Sequence, residues 1–235
     1  MLFSGTSGWA YPSWKPGFYP ARLPPSKFLS FYAARLNSVE VNYTFRRLAG
    51  ESLFRKWIGE TPPQFRFAVK AHQAITHFRR LRDAGESCSL FLASIEPLRA
   101  AGRLAPVLLQ LPPNLKFDGG VLQHFFETWP GDLRTAVEFR HESWFRDDTY
   151  RLLRQYNLAL CEAATENLET PPVATADFAY LRLRKSDYTA ADHEKLAARI
   201  RSLLGNGDVF AYFKHEETPN GTSWAEQLLN TFSAA

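Results

Sequence analysis

The stretch Thr135–Trp144, T-A-V-E-F-R-H-E-S-W, decides how this chain is read. Side chains alternate across a strand, so Val137 and Phe139 take one face while Glu138 and Arg140 take the other. A lone edge strand would simply turn such charge to solvent. Here the pattern recurs in other short apolar segments, each placing polar groups on one face near its C-terminal end. Ser38–Phe45 carries Glu40 and Asn42 opposite Val39 and Val41. Phe65–Ala71 carries Lys70, with His72 just beyond, opposite Phe67 and Val69. Phe178–Arg184 carries Tyr180, Arg182 and Arg184 opposite Leu181 and Leu183. The repetition predicts a polar mouth on an otherwise apolar barrel.

Two more segments complete the pattern. Pro106–Leu111 is almost wholly apolar, as in a strand buried on both faces of a parallel sheet, with Gln110 as its single amide. Leu158–Cys161 reads as a strand ending at Glu162. Between the strands lie helix-like runs: Ser26 to Leu36, Glu51–Ile58, Glu86–Arg99, Val121–Trp129, a run through Tyr156, Thr189–Leu204 and Ser223–Phe232. Thr189 with Asp192 three residues later has the form of a capping box. Strand and helix in regular alternation require crossover connections and hence a parallel sheet. The fold predicted is a TIM-like (β/α)8 barrel spanning 1–235 as a single domain. An open doubly wound sheet is disfavoured, because no strand runs into a glycine-rich phosphate-binding turn.

Composition narrows the function classes. The chain has 235 residues, 45% of them hydrophobic, which is enough for one sizeable core. Its apolar runs are short and broken by Arg, Pro or Gly, so no membrane partner is expected, and the N-terminus lacks a signal-peptide pattern. A cytoplasmic protein is the expectation. Cys88 and Cys161 stand apart without a C-x-x-C pair, which reads as two buried free thiols. The net charge of +4 is mild and by itself selects no partner.

Five ordered motifs carry a resemblance. Gly5-Thr6-Ser7-Gly8-Trp9, Val39 to Phe45, Phe67-Ala68-Val69-Lys70, Leu109-Gln110-Leu111-Pro112-Pro113 and Glu138 to Trp144 together resemble the DUF72 (YecE-like) family over nearly the whole chain. The resemblance implies a TIM-like barrel and brings no established activity. Two places depart from the family pattern. Arg182-Leu183-Arg184-Lys185 stands where members usually carry Arg-x-His-Gly, and Lys214-His215 stands where an Asn pair is common.

Ligands of such barrels sit at the C-terminal strand ends. The candidates there are Glu40, Asn42, Lys70, His72, Gln110, Glu138, Arg140, Glu162, Arg182, Arg184 and Lys214. Desolvating any one of their charges without a partner costs on the order of several kcal/mol, so they must pair or meet a ligand. Three carboxylates face five permanent cations in that set, and an anion would complete the balance. A small-molecule phosphate or carboxylate ligand follows, gripped by Arg140 and Arg182. Glu138 or Glu162 is cast as general base, with Glu40 as a further catalytic carboxylate and Lys70 or His72 as acid or electrophile. Trp9 and Trp144 are placed to stack a sugar or base, although aromatics in such loops often plug a barrel rim. No metal site is expected, since H-x-H and H-E-x-x-H spacings are missing, and no cofactor is implied.

The leading reading is an enzyme acting on a small anionic substrate by acid/base chemistry, a hydrolase or an isomerase. A nucleic-acid partner is the second reading and a non-catalytic interaction module the third. The oligomeric state is not legible.

Overall fold

The computed structural model describes residues 1–165, 168–214 and 217–233. Eight parallel strands form a nearly closed barrel: β1 (Leu2–Thr6), β2 (Ser38–Val41), β3 (Arg66–Lys70), β4 (Leu104–Gln110), β5 (Thr135–Glu138), β6 (Ala159–Thr165), β8 (Phe178–Leu183) and β9 (Asp208–Phe213). The two-residue β7 (Leu168–Glu169) pairs antiparallel with β6. The ladder runs β1-β9-β8-β6-β5-β4-β3-β2. Around it lie α1 (Phe28–Ala33), α2 (Tyr43–Arg46), α3 (Glu51–Gly59), α4 (Gly85–Ala100), α5 (Gly119–Thr128), α6 (Asp147–Gln155), α7 (Ala190–Leu204) and α8 (Asn220–Ser233). This is the predicted TIM-like architecture with outer helices. Thr189 caps α7 through the reciprocal bonds with Asp192 that the sequence implies.

Alternation sorts the core into two layers. Val39, Val41, Phe67, Val69, Leu109, Val137 and Phe139 face outward and pack with the helices. Inside the barrel, alanines of β3 to β6 face aromatic rings of β1, β8 and β9. Ala68, Ala136, Ala159 and Ala163 make room for Phe3, Phe178, Tyr180, Phe210 and Tyr212. Phe3 stacks on Phe210 with centroids 4.8 Å apart, and Tyr180 meets Tyr212 at 5.3 Å. The small side chains of one wall thus accommodate the large ones of the other, and the interior is packed rather than hollow.

The ends of the ladder, β1 and β2, meet through a seam closed by side chains. Among the described residues a single bridge, Ser7 to Glu40, joins them as a parallel pair, with the Gly8 N–H donating to the Glu40 carbonyl at 2.9 Å. Below it, Asn37 mimics a strand. Its Oδ1 accepts from the Ser4 N–H at 2.8 Å and its Nδ2 donates to the Leu2 carbonyl at 2.9 Å. Tyr32 Oη accepts from the Thr6 N–H at 2.8 Å and donates to the Ser38 carbonyl at 3.1 Å. Gly5 permits this approach, because a Cβ at that position would stand 1.9 Å from the Ser38 carbonyl oxygen.

One crossover departs from the alternation. Between β6 and β8 the described residues hold β7 and a loop, with no helix. Thr175 Oγ1 in that loop accepts from the Leu160 N–H at 2.8 Å and donates to the Leu158 carbonyl at 2.7 Å. The loop thereby satisfies strand groups that a neighbouring strand would otherwise pair.

Candidate functional site

The charged residues of the barrel mouth are organised by Arg182, the fifth residue of β8. The β8 alternation turns it inward with Tyr180, and it is 2% exposed. Its Nη2 donates to Glu40 Oε1 at 2.7 Å and its Nη1 to Glu138 Oε2 at 2.6 Å. One guanidinium thus bridges two fully buried carboxylates from β2 and β5, strands separated in the ladder by β3 and β4. Glu40 is further held by Ser7 Oγ at 2.6 Å and by Tyr180 Oη at 2.8 Å. Ser7 and Tyr180 were absent from the sequence-level ligand set. Tyr180 shares the parity of Arg182, and Ser7 directly follows β1, so alternation and strand ends carried the signal for both.

Glu138 draws two more cations. Arg140 Nε lies 2.5 Å from Glu138 Oε1 in a charge contact whose N–H is not aimed at the oxygen, and Arg184 Nη2 lies 3.5 Å from the same atom. Apart from Glu138, neither guanidinium has a hydrogen-bond acceptor among the described residues, and the buried Arg184 Nε–H has none at all. Lys70, the last residue of β3, donates from Nζ to Gln110 Oε1 at 2.9 Å and sits 3.9 Å above the Phe45 ring. Gln110 Oε1 also lies 3.4 Å from Arg182 Nη1. The amide therefore couples the lysine to the central arginine.

Two buried carboxylates thus face four cations: Lys70, Arg140, Arg182 and Arg184. The excess of positive charge governs protonation. Burial alone would raise the Glu138 carboxyl, but Arg182, Arg184 and Arg140 outweigh it and bring it down to about 2. Glu40 is likewise held below the usual carboxylate range, its burial opposed by Arg182 and by the hydrogen bonds of Ser7 and Tyr180. Burial, and then the Arg182 charge, lower the Lys70 ammonium to about 8. Burial also lowers His77, with help from Lys70, Arg140 and Arg80. Both carboxylates are therefore ionised and occupied near neutral pH. Of the lysine and the carboxylates of this mouth, Lys70 is the one brought closest to neutral pH.

Several sequence-level candidates lie elsewhere. Glu162 faces outward, because Cys161 and Ala163 take the barrel interior, and it forms a two-pronged pair with Arg199 of α7. The proposed base role for Glu162 at the mouth is thereby corrected. Trp144 is buried against Phe139, with centroids 4.5 Å apart, and its Nε1 donates to the Leu115 carbonyl at 2.7 Å. It plugs the rim and offers no face to a ligand. Trp9 is half-buried with its edge on Trp57 at 4.9 Å. His72 Nδ1 accepts from the Ala74 N–H at 3.3 Å and so shapes the turn into one turn of π-helix, Ala74–Phe78. β2 stops at Val41, so Asn42 precedes α2 instead of extending the strand, and its Oδ1 is buried without a hydrogen-bond partner among the described residues. Lys185 pairs with Asp192 at 2.7 Å outside the cluster, Lys214 is exposed, and His215 lies outside the described residues. Among the described residues no three His, Cys, Asp or Glu side chains gather as a metal-ligand set.

A parallel barrel whose mouth is bridged by a buried carboxylate–arginine–carboxylate unit defines a TIM-like barrel protein with a cationic mouth. The chain belongs to the family described as protein of unknown function DUF72, which it matches over residues 3–235. It is 30% identical over 156 residues to UPF0759 protein YunF of Bacillus subtilis, covering 64% of this chain and 54% of that protein. To UPF0759 protein YecE of Escherichia coli it is 32% identical over 146 residues, covering 62% and 50%. The chain thus spans about half the length of the curated relatives it matches. A solved DUF72 family protein of Thermotoga maritima superposes with a TM-score of 0.88 at 28% identity over 99% of both chains. A DUF72 family protein of Enterococcus faecalis, 17% identical with a TM-score of 0.79 over 98% of this chain and 96% of its own, shares the fold. No helix among the described residues is long and apolar enough to cross a membrane.

Proposed function

We propose that this barrel is an enzyme that holds a small phosphate- or carboxylate-bearing substrate at its C-terminal mouth, with Lys70 as its acid/base group. The observation that carries the reading is the unspent donor capacity of Arg140 and Arg184 above two carboxylates already neutralised from below by Arg182. Guanidinium forks of this kind match planar or tetrahedral oxyanions. The electrostatics also reassign roles. A carboxylate at about 2, as Glu138 is, takes up almost no proton near neutral pH, so Glu138 and Glu40 orient Arg182 while Lys70 moves the proton.

Inorganic phosphate tests the anion site directly. A native-state ligand raises the melting temperature in proportion to ln(1 + [L]/Kd), so phosphate at millimolar concentration should raise it for the wild type. Arg140→Ala should weaken phosphate binding by about tenfold, equivalent to about 1.4 kcal/mol. A wild-type melting temperature indifferent to phosphate, or one raised only by oligonucleotides with steep salt dependence, would overturn the reading.

A further inference from the structure

We infer that Lys70 is a carbonyl-reactive amine, able to form an imine with an oxo acid or a phosphorylated aldehyde or ketone whose anionic group rests on Arg140 and Arg184. The inference deepens the proposed anion site and rests on it for the choice of substrate.

The first ground is the company Lys70 keeps. Among the described residues no carboxylate lies within 4.0 Å of its Nζ, since Glu40 and Glu138 are both taken up by arginines. Exposed lysines such as Lys56 and Lys185 pair with acids. An ammonium locked to a carboxylate is a poor nucleophile. One held by the Gln110 amide oxygen and the face of Phe45 can give up a proton, and the neutral amine then has a lone pair to offer. The second ground is the field. Burial and the Arg182 guanidinium lower the ammonium against the opposing charges of Glu40 and Glu138. Desolvation beside a second cation is the established physical route to a nucleophilic lysine. The third ground is position. Lys70 ends β3 at the C-terminal face, where barrel ligands sit, within the same network as Arg182 and Glu138.

The step balances without a redox partner. The Nζ lone pair forms a bond to the carbonyl carbon, and one amine proton passes to the carbonyl oxygen, giving a carbinolamine. Its hydroxyl takes a second proton from solvent and leaves as water, and the nitrogen lone pair closes a protonated imine. The cation so formed replaces the ammonium charge, so the buried carboxylates keep their neutralising set.

Glyoxylate with cyanoborohydride at neutral pH reports the imine as a carboxymethyl adduct, located by peptide mass spectrometry. Lys70 should be labelled about tenfold or more faster than Lys56, since a drop of this size in amine pKa enlarges the neutral fraction on the order of a hundredfold. Inorganic phosphate should protect it. Acetaldehyde, which has the carbonyl without the anion, should keep the part of that preference owed to the neutral amine and lose the further gain, and the phosphate protection, that an anion site confers on glyoxylate. Lys70→Arg should keep phosphate binding by calorimetry while losing the adduct. Labelling of Lys70 no faster than Lys56, with phosphate still bound, would overturn the inference and leave the anion site standing. Fast labelling of Lys70 without phosphate binding or protection would support the amine and remove the anion site.

Discussion

Arg182 and Glu40 are separated by 142 residues in sequence and by 2.7 Å in space, joined across the interior of the barrel. That contact makes the mouth a structural element as well as a site. Arg182 also holds Glu138, so three charges that would each be costly to bury form one unit spanning β2, β5 and β8.

Removing the shared cation should therefore cost far more than removing a surface charge. Arg182→Met leaves Glu40 and Glu138 buried with weaker counter-charge, and the unfolding free energy from urea titration should fall by about 3–5 kcal/mol. Adding Glu40→Gln and Glu138→Gln to that variant should recover a large part of the loss. If the three changes added independently, the unit would be no unit.

Acid should expose the same coupling. Glu138 has a folded value of about 2 against 4.5 for a free glutamate, so its contribution is present in full above 4.5. It drains away as pH falls from 4.5 toward 2, where the unfolded chain takes up the proton first. Stability measured from pH 6 to pH 3 should decline with a slope that is shallower in Glu138→Gln than in the wild type. Equal slopes would mean that Glu138 carries no such coupling.

The mouth was legible to the extent that strand parity was. Glu40, Lys70, Gln110, Glu138 and Arg182 each sit at an inward position near a strand end, and alternation alone assigns them. Glu162 shows the limit of that reading. β6 runs on to Thr165, so what looked like the last residue of a strand is an interior one whose parity sends it to Arg199. Trp144 takes the rim-plugging role that the sequence offers beside ligand stacking, because a single 3-10 turn, Glu142–Trp144, folds its ring back onto Phe139. The crossover from β6 to β8 had no helical pattern to read, and Pro171-Pro172 marks it as loop. The seam was the least visible part. Nothing in the local sequence of Asn37 announces that its amide stands in for a strand.

Gly5→Ala tests that seam. The added Cβ would press on the Ser38 carbonyl at 1.9 Å, and backbone on both sides leaves little room to yield. Loss of about 4 kcal/mol or more, or failure to fold, is the expected outcome. Gly59→Ala is the matched control, because open space surrounds Gly59 at the end of α3, and it should gain up to about 1 kcal/mol. Chemical denaturation of the pair decides it. A mild effect of Gly5→Ala would show that β1 and β2 tolerate separation.

The Asn37 clasp predicts a smaller loss by a different cause. Asn37→Leu preserves side-chain bulk but leaves the Ser4 N–H and the Leu2 carbonyl without partners, and each orphaned group costs about 1–3 kcal/mol. Amide exchange at Ser4 should accelerate in this variant more than at Phe210, which the β8 and β9 pairing protects from the other side. Uniform acceleration across the barrel would assign the effect to global destabilisation instead.

Lys70 carries the opposite sign. Its folded value near 8 lies below the 10.5 of a free lysine, so between those values the unfolded chain binds more protons than the folded one. Stability therefore rises with pH through that window, and below it the protonated amine is a burden on the fold. Lys70→Met removes the burden at the cost of the Gln110 hydrogen bond, and should be the more stable protein at pH 7 by about 1 kcal/mol. The advantage should shrink as pH climbs from 8 to 10.5, because only the wild type gains there. Taking the difference between the two proteins at each pH cancels tyrosine titration common to both. A difference that stays flat across the window would place the Lys70 ammonium in water, and with it would go both the proton-moving role and the reactive amine.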